Sequence, residues 1–370
     1  PDDETVWWEE IDFYDPGLSQ FFIGQALQWL VEYGFDGVRD DAAWAINNRN
    51  WFAMLRQQIA HHTDPGRHIH LILENENNDS ALLRDGYNQW DEDWHHTLTV
   101  LLTGEDVGYF KAFTKDPTSL LRRVLAEGFA WQGEYFPPAD KVRGTPSADL
   151  SPTKFVSFLQ NHDQIGNRPR GERLITLCNP DAFHAAYALL LLCPMTPMLF
   201  MGEEWGSTTP FYFFCDFQGE LGQKVREGRN NQFRKYCGID DQAELDSLPD
   251  PIARSTYEAS RPDRQERETA YGQEWLAYTK KLLALRRQHI TPNLRTICSA
   301  GARKLGERAV QASWIMSGDQ ILRISINLGN SKIELDHNTI PENIIFSSDC
   351  VENETLASNC ILVEIIGSNS

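Results

Sequence analysis

Long apolar runs are missing from this sequence. No stretch within its 370 residues approaches the roughly 18 consecutive apolar residues of a membrane-spanning helix. Nor does a basic start lead into an apolar segment of the kind that directs secretion. Basic residues are also in short supply: 34 Lys and Arg stand against 53 Asp and Glu, a net charge of −19. Phosphate binding needs concentrated positive charge, so nucleic acid is excluded as a partner and a neutral or cationic one is favoured. Cysteine is sparse and unpatterned. The seven at 178, 193, 215, 237, 298, 350 and 360 include no CxxC and no Cys/His zinc spacing, which reads as small buried residues with free thiols. Short-period repeats and low-complexity tracts are absent too. These absences leave a soluble, cytoplasmic protein for which no membrane, nucleic-acid, metal or cofactor partner is expected.

Core material, by contrast, is ample. Apolar residues make up 41% and aromatics 11% of the chain, which suits a globular protein with room for one large domain and a small one. Helical patterns alternate with short apolar strands. Asp15-Pro16-Gly17 opens a helix in which Phe21, Phe22, Ala26, Leu27, Trp29, Leu30 and Tyr33 recur at helix spacing, with Gly34 as a stop. The stretch "FDGVRDDAAWAI" then reads as a strand ending near Asp41, before a helix through Trp51 to Ile59. In "HIHLILENENND" the design repeats, since Leu71, Ile72 and Leu73 run straight into Glu74. Two further apolar strands are expected, one in "FVSFLQNHDQIGNR" ending at Asn161-His162-Asp163, the other from Met195 to Met201 ending in Glu203-Glu204. Nearly continuous β-prone runs are typical of strands covered on both faces. "SLLRRVLAEGF", "HAAYALLLLC" and Glu274 to Arg287 read as helices, and the text from about Gly206 to Arg264, which lacks a clean period, as a long ordered excursion. After about Pro292 the period switches to two. The succession predicts a parallel α/β barrel closing with the strand at Met195, followed by a small all-β domain.

Active sites of such barrels lie at the carboxyl ends of the strands, and here those ends carry acids. Arg39 and Asp41 are two apart on a strand, so both side chains leave the same face and the guanidinium favours an ionised carboxylate. Asp40 points the other way. Glu74 follows three apolar residues, a setting in which desolvation raises a carboxyl pKa and keeps a proton available. One ionised and one protonated carboxyl are what glycoside cleavage requires. Asp163 adds a third acid able to hydrogen-bond sugar hydroxyls, with His162 as a neighbouring donor. Any one of these acids alone reads more simply as a helix cap or a solvated loop end. Trp90, Trp94, His95, His96 and Tyr109 read as packing rather than sugar-stacking residues, and His95-His96 lacks the third ligand that zinc would need. Glu203 and Glu204 read as caps or as partners for arginines of the excursion.

The strands "GVRDDA", "LILEN" and "NHD" occur in the order in which the α-amylase superfamily of glycoside hydrolases carries its nucleophile, general acid and transition-state stabiliser, and the sequence resembles that family. The resemblance implies these roles for Asp41, Glu74 and Asp163, with Arg39 and His162 as escorts and Asn161 and Trp44 as further substrate-binding residues. "QWDEDWHHTLTVLLTGEDVGYF", "FLQNHDQIGNRPRGERL" and "PMTPMLFMGEEWGSTTPFYFFCDFQGELGQKVREGR" are similar to one branch of the family, and likeness covers most of Phe13 to Arg287. That branch implies maltooligosyl trehalose as substrate, hydrolysed at the α-1,4 bond next to the terminal trehalose unit by a retaining double displacement, as in trehalose biosynthesis. Two departures stand out. The branch carries histidine in an "Asp-Ala-x-His" pattern, where this chain has Trp44 after Asp41-Ala42-Ala43. The chain also begins at what resembles the segment before the fourth barrel strand. The expected fold is therefore a partial (β/α)8 barrel, strands four to eight, over residues 1–291, with a small antiparallel β-domain over 292–370 and another segment or chain supplying the missing strands. An amylase, debranching or branching enzyme, or an inactive carbohydrate-binding fragment, are the rival readings.

Overall fold

The computed structural model describes residues 11–335, 343–348, 351–352 and 355–367. Its first helix begins at a cap: Asp15 accepts the Leu18 N–H at 2.8 Å, and Pro16 fills the first helical position, where a missing N–H costs nothing. Helix α1 (Pro16–Leu27) continues as a wider turn, Gln28–Glu32, and ends before Gly34, which takes a φ of +73°.

Strands β1 (Gly37–Asp40), β2 (His70–Leu73) and β3 (Asn88–Trp90) come next; β4 (Glu134–Phe136) and β5 (Lys141–Arg143) form a separate hairpin; β6 (Phe155–Ser157) and β7 (Thr196–Pro197) follow. Five of them make one parallel sheet in the order β1-β2-β3-β6-β7. Register pairs Asp40 with Leu73 and Leu73 with Gln89, so the residues just after these strands emerge along a single rim. The crossovers carry α2 (Asn50–His62), α3 (Ser80–Arg84), α4 (Glu92–Thr103), α5 (Pro117–Glu127), α6 (His162–Gly166) and α7 (Pro180–Leu192). Helix α7 is apolar all round, and every residue from Ala185 to Leu192 is buried, as a helix without a polar face must be. Four more helices follow β7: α8 (Gly219–Cys237), α9 (Gln242–Asp246), α10 (Arg254–Ala259) and α11 (Ala270–Leu285).

The remaining chain is β. Strands β8 (Cys298–Gly306), β9 (Ala309–Ile315) and β10 (Ile321–Asn327) lead to β11 (Ile333–Glu334), β12 (Ile344–Ser347), β13 (Val351–Glu352), β14 (Thr355–Leu356) and β15 (Cys360–Ile366). An antiparallel sheet of order β12-β15-β10-β9-β8 packs on α5 and α7, and one apolar core joins Leu121 and Val124 of α5 to Val310 and Trp314 of β9.

Several expectations need correction. The strand expected from Met195 to Met201 shrinks to Thr196–Pro197: its partner β6 ends at Ser157, whose carbonyl accepts the Met198 N–H at 2.9 Å. Strand β3 was not expected: Asn-Gln-Trp is no apolar run. The excursion from 206 to 264 contains the 19-residue helix α8, whose period is hidden because only Gly222, Val225 and Phe233 are buried. Cys178, Cys193, Cys215, Cys237 and Cys298 are free, but Cys360 is disulfide-bonded, so seven free thiols do not hold and cysteine usage gives no argument for the cytoplasm. Cys350 lies outside the described residues. Among the described residues no helix is long and apolar enough to cross a membrane.

Candidate active site

Three strand ends converge on one guanidinium. Because Arg39 and Asp41 leave the same face of β1, Arg39 Nη1 reaches Asp41 Oδ1 at 2.6 Å, while Nη2 lies 2.8 Å from Glu74 Oε2 beyond β2. The guanidinium carbon stands 3.8 Å from the centre of the Trp90 ring at the end of β3, a cation–π contact. Ala42 adopts a left-handed conformation, φ 46° and ψ 40°, which costs a non-glycine residue about 1–2 kcal/mol. In return, the Ala42 N–H donates to Glu74 Oε2 at 2.9 Å and the Ala43 N–H to the Glu74 carbonyl at 2.9 Å, fastening the two strand ends together.

Burial pushes the Glu74 carboxyl up to about 7, against the Ala42 N–H and the Arg39 charge, and a hydrogen bond with Asp41 adds to the rise. Glu74 is thus poised to hold or release a proton near neutrality. Asp41 is 76% exposed and open to the solvent side. Asp40 lies on the opposite face; burial, opposed by Arg39, pushes it up to about 7 as well. Trp44 sits in the turn Ala43–Ala45 directly after Asp41, partly exposed.

The third acid is carried differently. Asn161 caps α6: its Oδ1 accepts the Asp163 N–H at 2.8 Å, and Gln164 Oε1 accepts the Asn161 N–H at 2.9 Å, a reciprocal capping box. His162 and Asp163 occupy the first turn, 47% and 41% exposed and 3.4 Å apart. The His162 ring meets Trp90 edge-on at 6.1 Å, which links α6 to the platform under Arg39. The structure therefore joins Arg39, Asp41 and Glu74 directly and brings His162 and Asp163 beside them. Asn161 is only 2% exposed; its Oδ1 is spent on the cap, while its Nδ2 has no hydrogen-bond partner among the described residues.

Glu92 was overlooked. It follows β3, accepts from Gln164 Nε2 at 3.0 Å, and is pushed up to about 8 by burial, with Asp163 and Glu74 adding to the rise. The rule that strand ends carry acids would have found it, had "NQW" been read as a strand. The neighbouring residues are structural. Asp93 pairs with Arg143 at 3.0 Å and accepts the Ala130 N–H at 2.8 Å. His95 and His96 pack on Phe158, Phe110 and Phe113, and burial lowers the His95 pKa to about 3. Behind α6 lies a cavity of about 230 Å³ lined by Gly166, Arg168, Tyr212, Phe213, Arg229 and Phe233. Among the described residues no group of three or more His, Cys, Asp or Glu is placed to hold a metal ion.

No family model matches the chain. Curated relatives do. A malto-oligosyltrehalose trehalohydrolase from Deinococcus radiodurans is 36% identical over 293 residues, 77% of this chain and 47% of the relative. Another of that name from Rhizobium sp. (strain M-11) is 33% identical over 353 residues, 90% and 57% of the two chains. A third, from Saccharolobus solfataricus, is 36% identical over 242 residues, 62% of this chain and 42% of the relative. Among solved structures, a protein from Salmonella typhimurium described as an α-amylase superposes with a TM-score of 0.87 at 33% identity, covering 96% of this chain and 61% of that one. The cyclic α-maltosyl-(1→6)-maltose hydrolase from Arthrobacter globiformis, at 15% identity and a TM-score of 0.55 over 96% of this chain and 61% of that one, shares the fold. The chain spans about half the length of the curated relatives it matches. Over most of its own length the chain is thus similar to malto-oligosyltrehalose trehalohydrolases, and it has an α-amylase-type fold.

Proposed function

We propose that the chain carries the catalytic acids of a glycoside hydrolase that cleaves the α-1,4 bond next to the terminal trehalose unit of maltooligosyl trehalose, releasing trehalose in its biosynthesis. The observation that carries this reading is the shared grip of Arg39 on Asp41 and Glu74, with Glu74 raised to about 7. In the first step Glu74 gives its proton to the glycosidic oxygen while the Asp41 carboxylate attacks the anomeric carbon, so trehalose leaves and a glycosyl ester forms. In the second step Glu74, now a carboxylate, takes a proton from water, which attacks the same carbon and frees the maltooligosaccharide with retained configuration. Inverting enzymes hold their carboxyls about 6.5–9.5 Å apart to admit a water, whereas retaining ones hold them at about 5–5.5 Å. The hydrogen bond between Asp41 and Glu74 supports the retaining class. Asp163 and His162 would grip sugar hydroxyls as the ring flattens, and Trp44 would stack on the trehalose side.

This site needs a wall. Among the described residues β1 pairs on one side only, and Phe21, Trp29, Tyr33 and Phe35 beside it are exposed. We read the sheet as strands four to eight of a (β/α)8 barrel whose first strands come from a further segment, in cis or in trans. The test is incubation with maltotriosyl trehalose, with that segment present, and identification of the products by chromatography. Trehalose plus maltotriose is the expected result. Maltose or glucose without trehalose would favour the α-amylase reading suggested by the Salmonella structure, and binding without turnover a carbohydrate-binding role.

A further inference from the structure

Glu92 takes no part in the chemistry above, yet Asp163 and Glu74 both act on it electrostatically. It opens α4, right after the capping residue Asp91, and α4 is held on all sides by buried Trp94, His95, Leu98 and Leu101. Glu92 therefore stands on firm ground. The helix that carries Asp163 does not: α6 has 5 residues, too few to be stable by themselves, and its two exposed functional side chains are not fixed by burial. Two ties hold it. At one end Arg229 of α8 donates to the Gly166 carbonyl at 2.8 Å and to Asn167 Oδ1 at 2.6 Å. At the other, Gln164 bridges the Asn161 N–H and Glu92. The bridge has one possible orientation, since Gln164 Oε1 accepts from Asn161 and so Nε2 faces Glu92, which must be the acceptor.

We propose that Glu92 is a positioning residue: by accepting the Gln164 Nε2–H it anchors the turn from Asn161 to Gln164 on α4 and keeps Asp163 facing the sugar that Asp41 and Glu74 attack. This rests on the glycosidase reading for the sugar, though not for the anchor. An uncharged Glu92 suits the role, because it accepts through Oε2 with a proton on Oε1 and adds no further negative charge to the rim. Burial, which pushes it up to about 8, keeps it in that form at neutral pH.

Hydrogen exchange of the backbone amides of residues 161–165, measured on the full chain without substrate, tests the anchor. Glu92→Ala and Gln164→Ala should each speed exchange about tenfold while α4 amides stay slow, with no further gain in the double variant. Glu92→Gln, whose side-chain oxygen accepts the same bond, should stay within about twofold of the wild type. Unchanged exchange in Glu92→Ala, or additive effects in the double variant, overturns the proposal, since Arg229 and the other contacts of α6 would then suffice to hold it. Should Glu92→Ala fail to fold, Gln164→Ala decides alone by the same criterion. In the trehalose-releasing enzyme, Glu92→Ala should lower kcat about ten- to a hundredfold with KM little changed, and Glu92→Gln should restore it. Because exchange needs no turnover, a chain that releases no trehalose sinks the glycosidase reading and leaves the anchor standing.

Discussion

The rim of the parallel sheet supports its acids in two ways. At β1 and β2 the acids follow strands whose register sets them side by side, and one arginine locks both. At α6 the acid rides on a single turn held by side-chain bridges that arise far away in the chain: Glu92 is 72 residues from Gln164, and Arg229 is 63 from Gly166. A strand end places a side chain through the backbone ladder, and here a single arginine completes the placement. A one-turn helix needs partners, and each partner is a separate point of failure.

The comparison breaks most sharply at Glu74. Glu74→Gln keeps the shape but cannot donate a proton, so kcat for maltotriosyl trehalose should fall about 10²- to 10⁴-fold, with the fold intact by circular dichroism. The same variant should gain stability at neutral pH. A carboxyl raised from 4.5 to about 7 in the folded state contributes most below pH 4.5 and loses that contribution as pH rises through about 7. Removing it should thus stabilise the fold above pH 7 by on the order of 1 kcal/mol, discounted for partial exposure, in urea denaturation. A wild-type rate would remove Glu74 from the acid role.

Next in size is the pH profile. Turnover that needs protonated Glu74 should fall as pH rises through about 7. Arg39 holds Glu74 down, so Arg39→Met should move this alkaline limb to higher pH while lowering the rate through loss of the Asp41 partner. A limb that stays in place would show that another group sets it.

The contrast between the two supports also explains what could be read in advance. Leu71, Ile72 and Leu73 running into Glu74, and the alternation of Arg39 and Asp41, are local patterns that mark both a strand and what it presents. The parallel sheet, the buried α7 and the terminal β-strands were legible for the same reason. Strand β3 escaped because Asn88 and Gln89 are polar and pack inside the sheet, where Gln89 Nε2 donates to the Asn75 carbonyl at 2.7 Å. Glu92 escaped with it. Helix α8 escaped because its role is to reach α6 through Arg229, which leaves no apolar stripe. The capping role of Asn161 was legible and not used, since Asn followed three residues later by Gln is the pattern of a capping box.

The smallest effect is expected at that cap, and it separates the two supports most cleanly. Asn161→Ala removes the acceptor of the Asp163 N–H while leaving the Asn161 N–H to Gln164 Oε1 bond in place. Caps of this kind are worth about 1 kcal/mol, and a helix of one turn cannot spread that loss over its length. Urea denaturation should therefore report about 1 kcal/mol or less of global destabilisation, since α6 adds little to the core. Turnover should drop by no more than about tenfold, because Glu92 and Arg229 still tether the turn. The strand-end pair should not register the change at all: with no bond from Asn161 to Arg39, Asp41 or Glu74, the alkaline limb near pH 7 should stay where it was. A limb that moved with Asn161→Ala would mean that the α6 turn and the Arg39 lock act as one electrostatic unit, and the two supports would have to be treated as one.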